Sequence, residues 1–117
     1  MNKNQFRFRV YLAEENRMLY SEDWEDRSWA QIRQWQEAGL LTQATGLRDA
    51  AGCDIFEGDI VEVYNTYKEE VFRGSVHFGK GAFFIRKDDL TSHDRWINYD
   101  IRVIGNVFEN PKMLIEQ

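Results

Sequence analysis

Residues 41–61 read LTQATGLRDAAGCDIFEGDIV, and the turn signals in this stretch decide the fold. Asp49 can accept a hydrogen bond from the backbone two residues further on, and Gly52 can adopt a positive φ at no steric cost. A tight turn is therefore predicted here. Gly58 and Asp59 form a second sharp corner, after which β-branched residues alternate into a strand. The stretch thus predicts two turns that lead into a β-rich region.

The sequence downstream of this stretch consists of short segments separated by turns. Alternation of apolar and polar residues places Phe72 and Phe78 on the buried face of one strand, and residues 79–81 form a tight turn after it. About five strands at this spacing favour a small, strongly bent barrel, because a barrel leaves few strand edges exposed. The EGD corner is typical of SH3-like barrels, an analogy at the level of fold alone. The predicted strands are residues 60–64, 71–78, 82–86, 96–99 and 101–104.

The sequence upstream begins with a second alternating segment, residues 5–11. A turn and a returning strand over residues 18–20 predict a β-hairpin. A single hairpin is marginally stable in water, so its apolar face is expected to pack on another element. The buried face of the first strand is assigned to Phe6, Phe8 and Val10, and the exposed face to Arg7, Arg9 and Tyr11.

One helix is predicted over residues 29–38. Ser28 is a suitable N-cap, and Gly39 stands where a left-handed residue commonly ends a helix. Trp29 and Trp35 are placed on one face of this helix. Two interpretations of that face remain open: it packs in the core, or it forms a stripe that binds a partner.

The chain end carries the signal for a further helical turn. Asn110 can act as its N-cap and Pro111 as its first residue, which predicts a short helix over residues 112–115 closing one mouth of the barrel. Together these elements predict a mainly β fold with a minor α contribution. In it, an N-terminal β-hairpin and one short helix pack on a small, strongly bent SH3-like β-barrel. The absence of repeats and linkers predicts one domain over residues 1–117, with sub-blocks at 5–41 and 42–117.

Composition excludes several classes of protein. Aromatic residues make up 15% of the 117 residues, which is incompatible with intrinsic disorder. The single cysteine excludes an internal disulfide and favours a reducing cytoplasm. We find no run of 18 apolar residues and no leader, so neither a membrane span nor a signal peptide is expected. A net charge of −5 argues against binding of nucleic-acid backbones by the whole surface.

Three segments of the chain carry a family resemblance. Residues 41–61 resemble the signature of the YopX-like phage proteins, T-G-L-x-D-x-x-G-x-x-I-[YF]-E-G-D-I-V. Residues 103–111, VIGNVFENP, are similar to the family's second signature, I-G-N-[IV]-[YF]-E-N-P. Residues 6–20 are similar to its N-terminal hairpin. The resemblance implies a small, mostly β protein of a bacteriophage or prophage with a barrel-like C-terminal region, and it implies no catalytic residue.

No group of residues supports catalysis, a cofactor or a metal site. Four carboxylates lie close together in the sequence: Asp49, Asp54, Glu57 and Asp59. Their order lacks the pattern of a calcium loop, so no metal is predicted. Cys53 is interpreted as a half-buried structural thiol. His93 falls in a polar stretch, residues 87–95, which is interpreted as an exposed loop without an acid or base role.

The resemblance implies a phage or prophage accessory protein, and the lack of a catalytic group predicts that it is non-enzymatic, in the bacterial cytoplasm. It is expected to act by protein contact, either as a homo-oligomer or with a host or phage protein, and without a membrane partner. The alternative is a small barrel that binds single-stranded nucleic acid through exposed aromatic rings beside basic side chains. Residues 21–26 are either a solvated connection or a docking surface for a basic partner.

Two sets of residues are singled out by these predictions. The candidate interaction surface consists of Trp24, Tyr67, Arg73, Trp96 and Tyr99. The structural turns are assigned to Asp49, Gly52, Gly58, Asp59, Asn110 and Pro111.

Overall fold

A computed structural model describes residues 7–24, 27–66, 69–79, 81–87, 92–93 and 99–114. Over these residues the fold is mainly β, with one α-helix and two short 3-10 helices, and the predicted fold class is confirmed. None of the helices in the described part of the chain is long and apolar enough to cross a membrane.

The first sheet contains four antiparallel strands. They are β1 (Phe8–Leu12), β2 (Arg17–Tyr20), β3 (Leu41–Arg48) and β4 (Asp54–Phe56). Their order across the sheet is β2-β1-β3-β4, so β1 and β2 form the predicted hairpin. Val10 of β1 lies opposite Leu19 on one side and Leu41 on the other. The hairpin therefore gains its support from β3 and β4, which follow it in the chain and were expected to belong to the barrel.

The second sheet contains five antiparallel strands. They are β5 (Asp59–Asn65), β6 (Glu70–Gly79), β7 (Ala82–Arg86), β8 (Ser92–His93) and β9 (Tyr99–Asn106). Their order is β8-β7-β6-β5-β9, and the sheet curls into a half-barrel. The prediction of an exposed loop over residues 87–95 is wrong at β8, because β8 pairs with β7. The strand predicted at residues 96–99 falls mostly outside the described residues.

The corner between the two sheets is held by backbone hydrogen bonds. The amide of Ala50, in the turn after β3, donates to the carbonyl of Ile101 in β9 at 2.9 Å. The amide of Gly58 donates to the carbonyl of Val76, and the amide of Val107 donates to the carbonyl of Gly58, both at 2.8 Å. These bonds fix the first sheet against the half-barrel.

Two apolar clusters form the core. The larger one fills the half-barrel and contains Ile55, Val61, Val63, Phe72, Val76, Ile85 and Ile101. The smaller one lies under the hairpin and contains Val10, Leu19 and Trp35. Burial of each such side chain stabilises the fold by roughly 1.5–3 kcal/mol. The interior role predicted for Phe72 is confirmed.

The predicted helix is present as α1, Trp29–Glu37. The Ser28 hydroxyl accepts a hydrogen bond from the amide of Gln31 at 3.2 Å, and Gly39 has a φ of +74°. Trp35 is buried, but Trp29 is 84% exposed, so the interpretation that both rings pack in the core is wrong for Trp29. They are six positions apart, which places the two side chains about 120° apart around the helix axis.

Two other side chains lie where strand alternation does not place them. Arg9, assigned to the exposed face of β1, is buried, because the half-barrel corner covers that face of the sheet. Phe78, assigned to the interior, is 51% exposed. It precedes the turn into β7, beyond the packed part of β6, and its ring meets the edge of Phe83 at 4.9 Å.

Candidate functional site

A cleft of about 530 Å³ opens where the first sheet meets the half-barrel. Its charged lining consists of Arg7, Arg9, Arg48, Asp54 and Asp59. Cavities of roughly 300–1,000 Å³ with a few convergent polar groups are typical of small-ligand sites. We call this feature the arginine cleft and treat it as the candidate functional site.

The floor of the arginine cleft is a buried ion pair. The Arg9 Nη2 atom lies 2.7 Å from Asp59 Oδ1, and the two side chains are only 4% and 2% exposed. Asp59 Oδ2 also accepts a hydrogen bond from the amide of Phe56 at 2.7 Å. Burial raises the pKa of the Asp59 carboxyl, although the Arg9 guanidinium and the Phe56 amide act in the opposite direction. The pair joins β1 to the start of β5.

The Arg9 guanidinium has further partners that fix its plane. It lies 4.6 Å from the centroid of the Phe56 ring. Its Nε donates to Thr42 Oγ1 at 3.4 Å, and its Nη2 donates to the carbonyl of Glu57 at 3.3 Å. Contacts of this kind repay part of the desolvation cost of a buried charge. The floor is thus a rigid, polar surface beneath the cleft.

The rim of the cleft is a chain of exposed and half-buried ion pairs. Arg7 binds Glu22 through Nε and Nη2, with Nε 3.0 Å from Oε1. Its Nη1 donates to Asp54 Oδ2 at 3.2 Å, and the guanidinium lies 4.4 Å from the centroid of the Tyr20 ring. The hydrogen bonds from Arg7 lower the pKa of the Glu22 carboxyl. Asp54 Oδ1 accepts a second, longer hydrogen bond of 3.4 Å from Arg48 Nε.

The turn beside the cleft is organised by the Asp49 carboxylate. Its Oδ1 accepts hydrogen bonds from the amides of Ala51 at 2.9 Å and Cys53 at 2.8 Å. Its Oδ2 accepts from the amide of Val103 in β9 at 2.9 Å. Burial would raise the pKa of Asp49, but the three amides outweigh it and the pKa is lowered. Gly52 completes this turn with a φ of +86°.

The chain end forms a compact turn against the corner at Gly58. Gly58 has a φ of +87°, and a Cβ there would lie 3.1 Å from the Phe108 ring. Asn106 Oδ1 accepts hydrogen bonds from the amides of Phe108 and Glu109. Asn110 precedes Pro111, and its Oδ1 accepts a hydrogen bond from the amide of Asn106 at 3.2 Å. The helix that follows is a 3-10 helix, Pro111–Leu114.

The described members of the predicted interaction surface lie apart. Trp24 packs against Trp35 at 5.3 Å between ring centroids and donates from Nε1 to the carbonyl of Leu19 at 3.1 Å. Arg73 lies in the second sheet and donates to the carbonyl of Met113 at 3.4 Å. Trp24 therefore has a structural contact under the hairpin. Tyr67 and Trp96 lie outside the described residues, and Tyr99 is described only as the first backbone position of β9.

Other large apolar side chains are exposed instead. Trp29 of α1 is the most exposed of them, and Tyr64 and Val71 are direct neighbours across β5 and β6. Leu47 and Phe78 are the remaining two in the described part of the chain. The sequence left Trp29 open as a partner-binding residue and placed Phe78 in the interior. Tyr64 and Val71 alternate with the buried residues Val63 and Phe72 of their strands.

The described residues contain no group of three or more metal-ligating side chains. Cys53 is exposed at the cleft, which corrects its interpretation as a half-buried thiol. Glu57 is half-buried, and burial raises the pKa of its carboxyl. His77 contacts Ser75 Oγ at 2.7 Å, and burial lowers the pKa of its imidazole. The contact of Ser75 Oγ with the His77 ring joins a hydroxyl to an imidazole, but Ser75 is only 5% exposed and neither residue lines the arginine cleft.

The comparisons with known proteins agree with this architecture. The family model described as YopX protein matches residues 7–115. The chain is also similar to the crystal structure of protein EF1440 from Enterococcus faecalis, at 27% sequence identity and a TM-score of 0.59. That match covers 92% of this chain and 96% of the other. No curated protein matches the sequence.

Proposed function

This chain belongs to the YopX protein family, and we propose from that premise that it is a phage or prophage accessory protein acting by protein contact and not by catalysis. The proposed setting is the cytoplasm of the bacterial host. The partner is a host or phage protein, or a second copy of the chain. The single observation that carries the proposal is the exposure of Trp29.

Trp29 lies on a helix that is firmly held. Trp35, on another side of α1, is buried in the cluster beneath the hairpin and contacts Trp24. The Trp29 indole is therefore presented to solvent by a fixed element. Arg33 follows one helical turn later and is also exposed, so it shares a face with Trp29. Tryptophan and arginine are the residue types that most often dominate the binding energy of protein interfaces.

One edge of each sheet, at β2 and at β9, favours contact through side chains over strand addition. The outer edge of β9 is occupied, because the carbonyl of Ile101 and the amide of Val103 bond to the turn at Asp49. The carbonyl of Leu19 in β2 bonds to the Trp24 indole. Edges that are covered in this way offer little backbone for another strand to pair with. The surface around Trp29 and Arg33, here called the α1 surface, is the better candidate for an interface.

The proposal is tested by capture from a lysate of the bacterium that carries the gene. The wild-type protein is immobilised beside the Trp29→Ala variant and a matched control, Gln34→Ala, which changes an exposed side chain on a different side of the same helix. We expect one protein to be retained by wild type and control and to be lost by Trp29→Ala. Truncation of an interface hot spot costs about 2 kcal/mol or more, which is roughly 30-fold in affinity.

A nuclease-treated lysate separates the two hypotheses for the partner. Retention after nuclease treatment supports a protein partner, and loss of the retained material supports the nucleic-acid alternative. Sedimentation velocity of the three purified proteins tests the self-association form, in which Trp29→Ala alone shifts the protein toward monomer. If Trp29→Ala and Gln34→Ala behave alike in both measurements, the α1 surface is not the interface.

A further inference from the structure

We propose that the arginine cleft is a binding site for one carboxylate group of a ligand, bound by the guanidinium groups of Arg48 and Arg7. The proposal concerns a different part of the molecule from the α1 surface and does not depend on it. It follows from the hydrogen-bonding capacity, the spacing and the charge balance of the cleft.

The cleft contains hydrogen-bond donors without acceptors. A guanidinium carries five N–H donors. The Arg48 side chain is 61% exposed, and in the described part of the chain its one contact is from Nε to Asp54. Both of its terminal amino groups therefore lack an acceptor among the described residues. The same holds for Nη1 of Arg9, whose bonds to Thr42, Glu57 and Asp59 use Nε and Nη2.

The spacing of the two ligating guanidiniums suits a carboxylate. Asp54 already spans them, with one oxygen 3.2 Å from Arg7 Nη1 and the other 3.4 Å from Arg48 Nε. Both distances are longer than the 2.7–2.9 Å typical of charge-assisted hydrogen bonds. Arg48 keeps both terminal amino groups, and each terminal amino group of Arg7 keeps one N–H beyond those that bond to Asp54 and Glu22. Arg7 is also held by Glu22 and by the Tyr20 ring, so ligand binding costs little of its side-chain entropy.

The charge balance of the cleft disfavours a ligand with more than one negative charge. Arg9 is neutralised by Asp59, and Glu22 engages Arg7 from one side, which leaves Asp54 between Arg7 and Arg48. The cleft is thus close to neutral overall. A phosphate dianion would meet the repulsion of Asp54, whereas a carboxylate adds one charge and matches the planar fork of arginine. The whole chain, with a net charge of −5, also disfavours a polyanion.

Cys53 supplies a reporter for the test. It is the single cysteine of the chain, it is exposed, and it lines the cleft. The rate of its alkylation by the neutral reagent iodoacetamide is measured with increasing propionate, propionamide or phosphate, at an ionic strength kept constant with chloride. We expect propionate to slow the reaction saturably, with half of the effect at a concentration on the order of 1–10 mM. Propionamide and phosphate are expected to have no saturable effect.

Two arginine variants assign the effect to the cleft. Arg48→Gln keeps a long polar side chain at an exposed position and is expected to raise the half-effect concentration at least about tenfold. Arg17→Gln, at an exposed position of β2 outside the cleft, is the matched control and is expected to leave it unchanged. The rates are compared within each variant, so any change in the intrinsic reactivity of Cys53 cancels. Melting temperatures of both variants confirm that they fold.

A further arm distinguishes the sources of the carboxylate. N-acetyl-trialanine is compared with its C-terminal amide. Tighter protection by the acid than by propionate assigns the cleft to a peptide terminus, and equal protection assigns it to a free small acid. An effect of propionate that equals that of chloride or propionamide, that persists in Arg48→Gln, or that is weaker than that of phosphate overturns the proposal.

Discussion

At the scale of single residues, the buried pair of Arg9 and Asp59 shows how a charged side chain can occupy a core position. Isolated, either charge would be strongly disfavoured in this environment. Together with the Phe56 ring and amide and the Thr42 hydroxyl, they form a connected polar group at the junction of the sheets. Such a pair contributes little net stability over an apolar replacement, but loss of one partner is costly. A variant that removes only one of the two charges is therefore expected to lose stability.

We predict that Arg9→Met lowers the free energy of unfolding by about 3–5 kcal/mol, because it leaves the Asp59 carboxylate buried without its cation. Urea unfolding at pH 7 measures the change. Arg33→Met is the matched control, since Arg33 is exposed, and it should change the free energy by less than about 0.5 kcal/mol.

The double variant Arg9→Met/Asp59→Leu separates loss of the pair from loss of volume. It is expected to recover much of the stability that Arg9→Met loses, because no unpaired charge remains. A double variant as unstable as the sum of its single variants would mean that the two charges are not coupled, contrary to the geometry.

At the scale of elements, the two turns around β4 differ in what constrains their glycines. Gly52 and Gly58 both have positive φ, but a Cβ at Gly52 would meet no atom within 4 Å. At Gly58 it would press on the Phe108 ring from the chain end. The first position is thus constrained by conformation alone, and the second by conformation and packing.

We predict that Gly52→Ala lowers the stability by about 1–2 kcal/mol, because a Cβ is sterically strained in the left-handed region. Gly58→Ala is expected to cost more, because the Phe108 ring must also move. Thermal unfolding of the two variants gives the comparison, and valine at either site should be worse than alanine. Equal melting temperatures for the two alanine variants would contradict the packing part of the argument.

The elements also show what the sequence could and could not predict. Helix α1 and strands β5 to β7 are readable because local signals determine them, such as the Ser28 cap and the alternation that buries Val61 and Val63. Arg9 could not be placed, because alternation assigns a face but does not say whether a second layer covers it. The arginine cleft could not be predicted either, because its residues come together only through strand pairing. Arg7 and Arg48 lie 41 positions apart in sequence, and only the pairing of β1 with β3 and of β3 with β4 brings them to Asp54.

At the scale of the whole molecule, Asp49 connects the two sheets through one carboxylate. It accepts amide hydrogen bonds from its own turn and from Val103 in β9. Its pKa is lowered below the ordinary value of 3.8. Ionised Asp49 therefore stabilises the fold above that pH, and this contribution is lost as the pH falls through the folded-state pKa.

We predict that Asp49→Asn destabilises the protein at pH 7 by about 1–3 kcal/mol, because one amide oxygen cannot replace two carboxylate oxygens for three donors. The difference from wild type should shrink as the pH falls below 3.8 and through the lower pKa of the folded state, where the wild-type carboxyl becomes protonated as well. Urea unfolding at pH 7 and below pH 3.8 measures the difference in free energy of unfolding. Asp23→Asn, at an exposed position, is the control. A difference that stays constant with pH would show that the charge of Asp49 is not what stabilises the junction.

The link between Asp49 and Val103 also bears on the order in which the molecule can be made. The two residues are 54 positions apart, and β9 completes the pairing of the central strand β5. During synthesis, the hairpin, α1 and β3 leave the ribosome well before β9 does. The junction, and the arginine cleft beside it, can close only after residue 103 has emerged from the exit tunnel. Completion of the junction is therefore expected to depend on β9, the last strand of the fold to emerge.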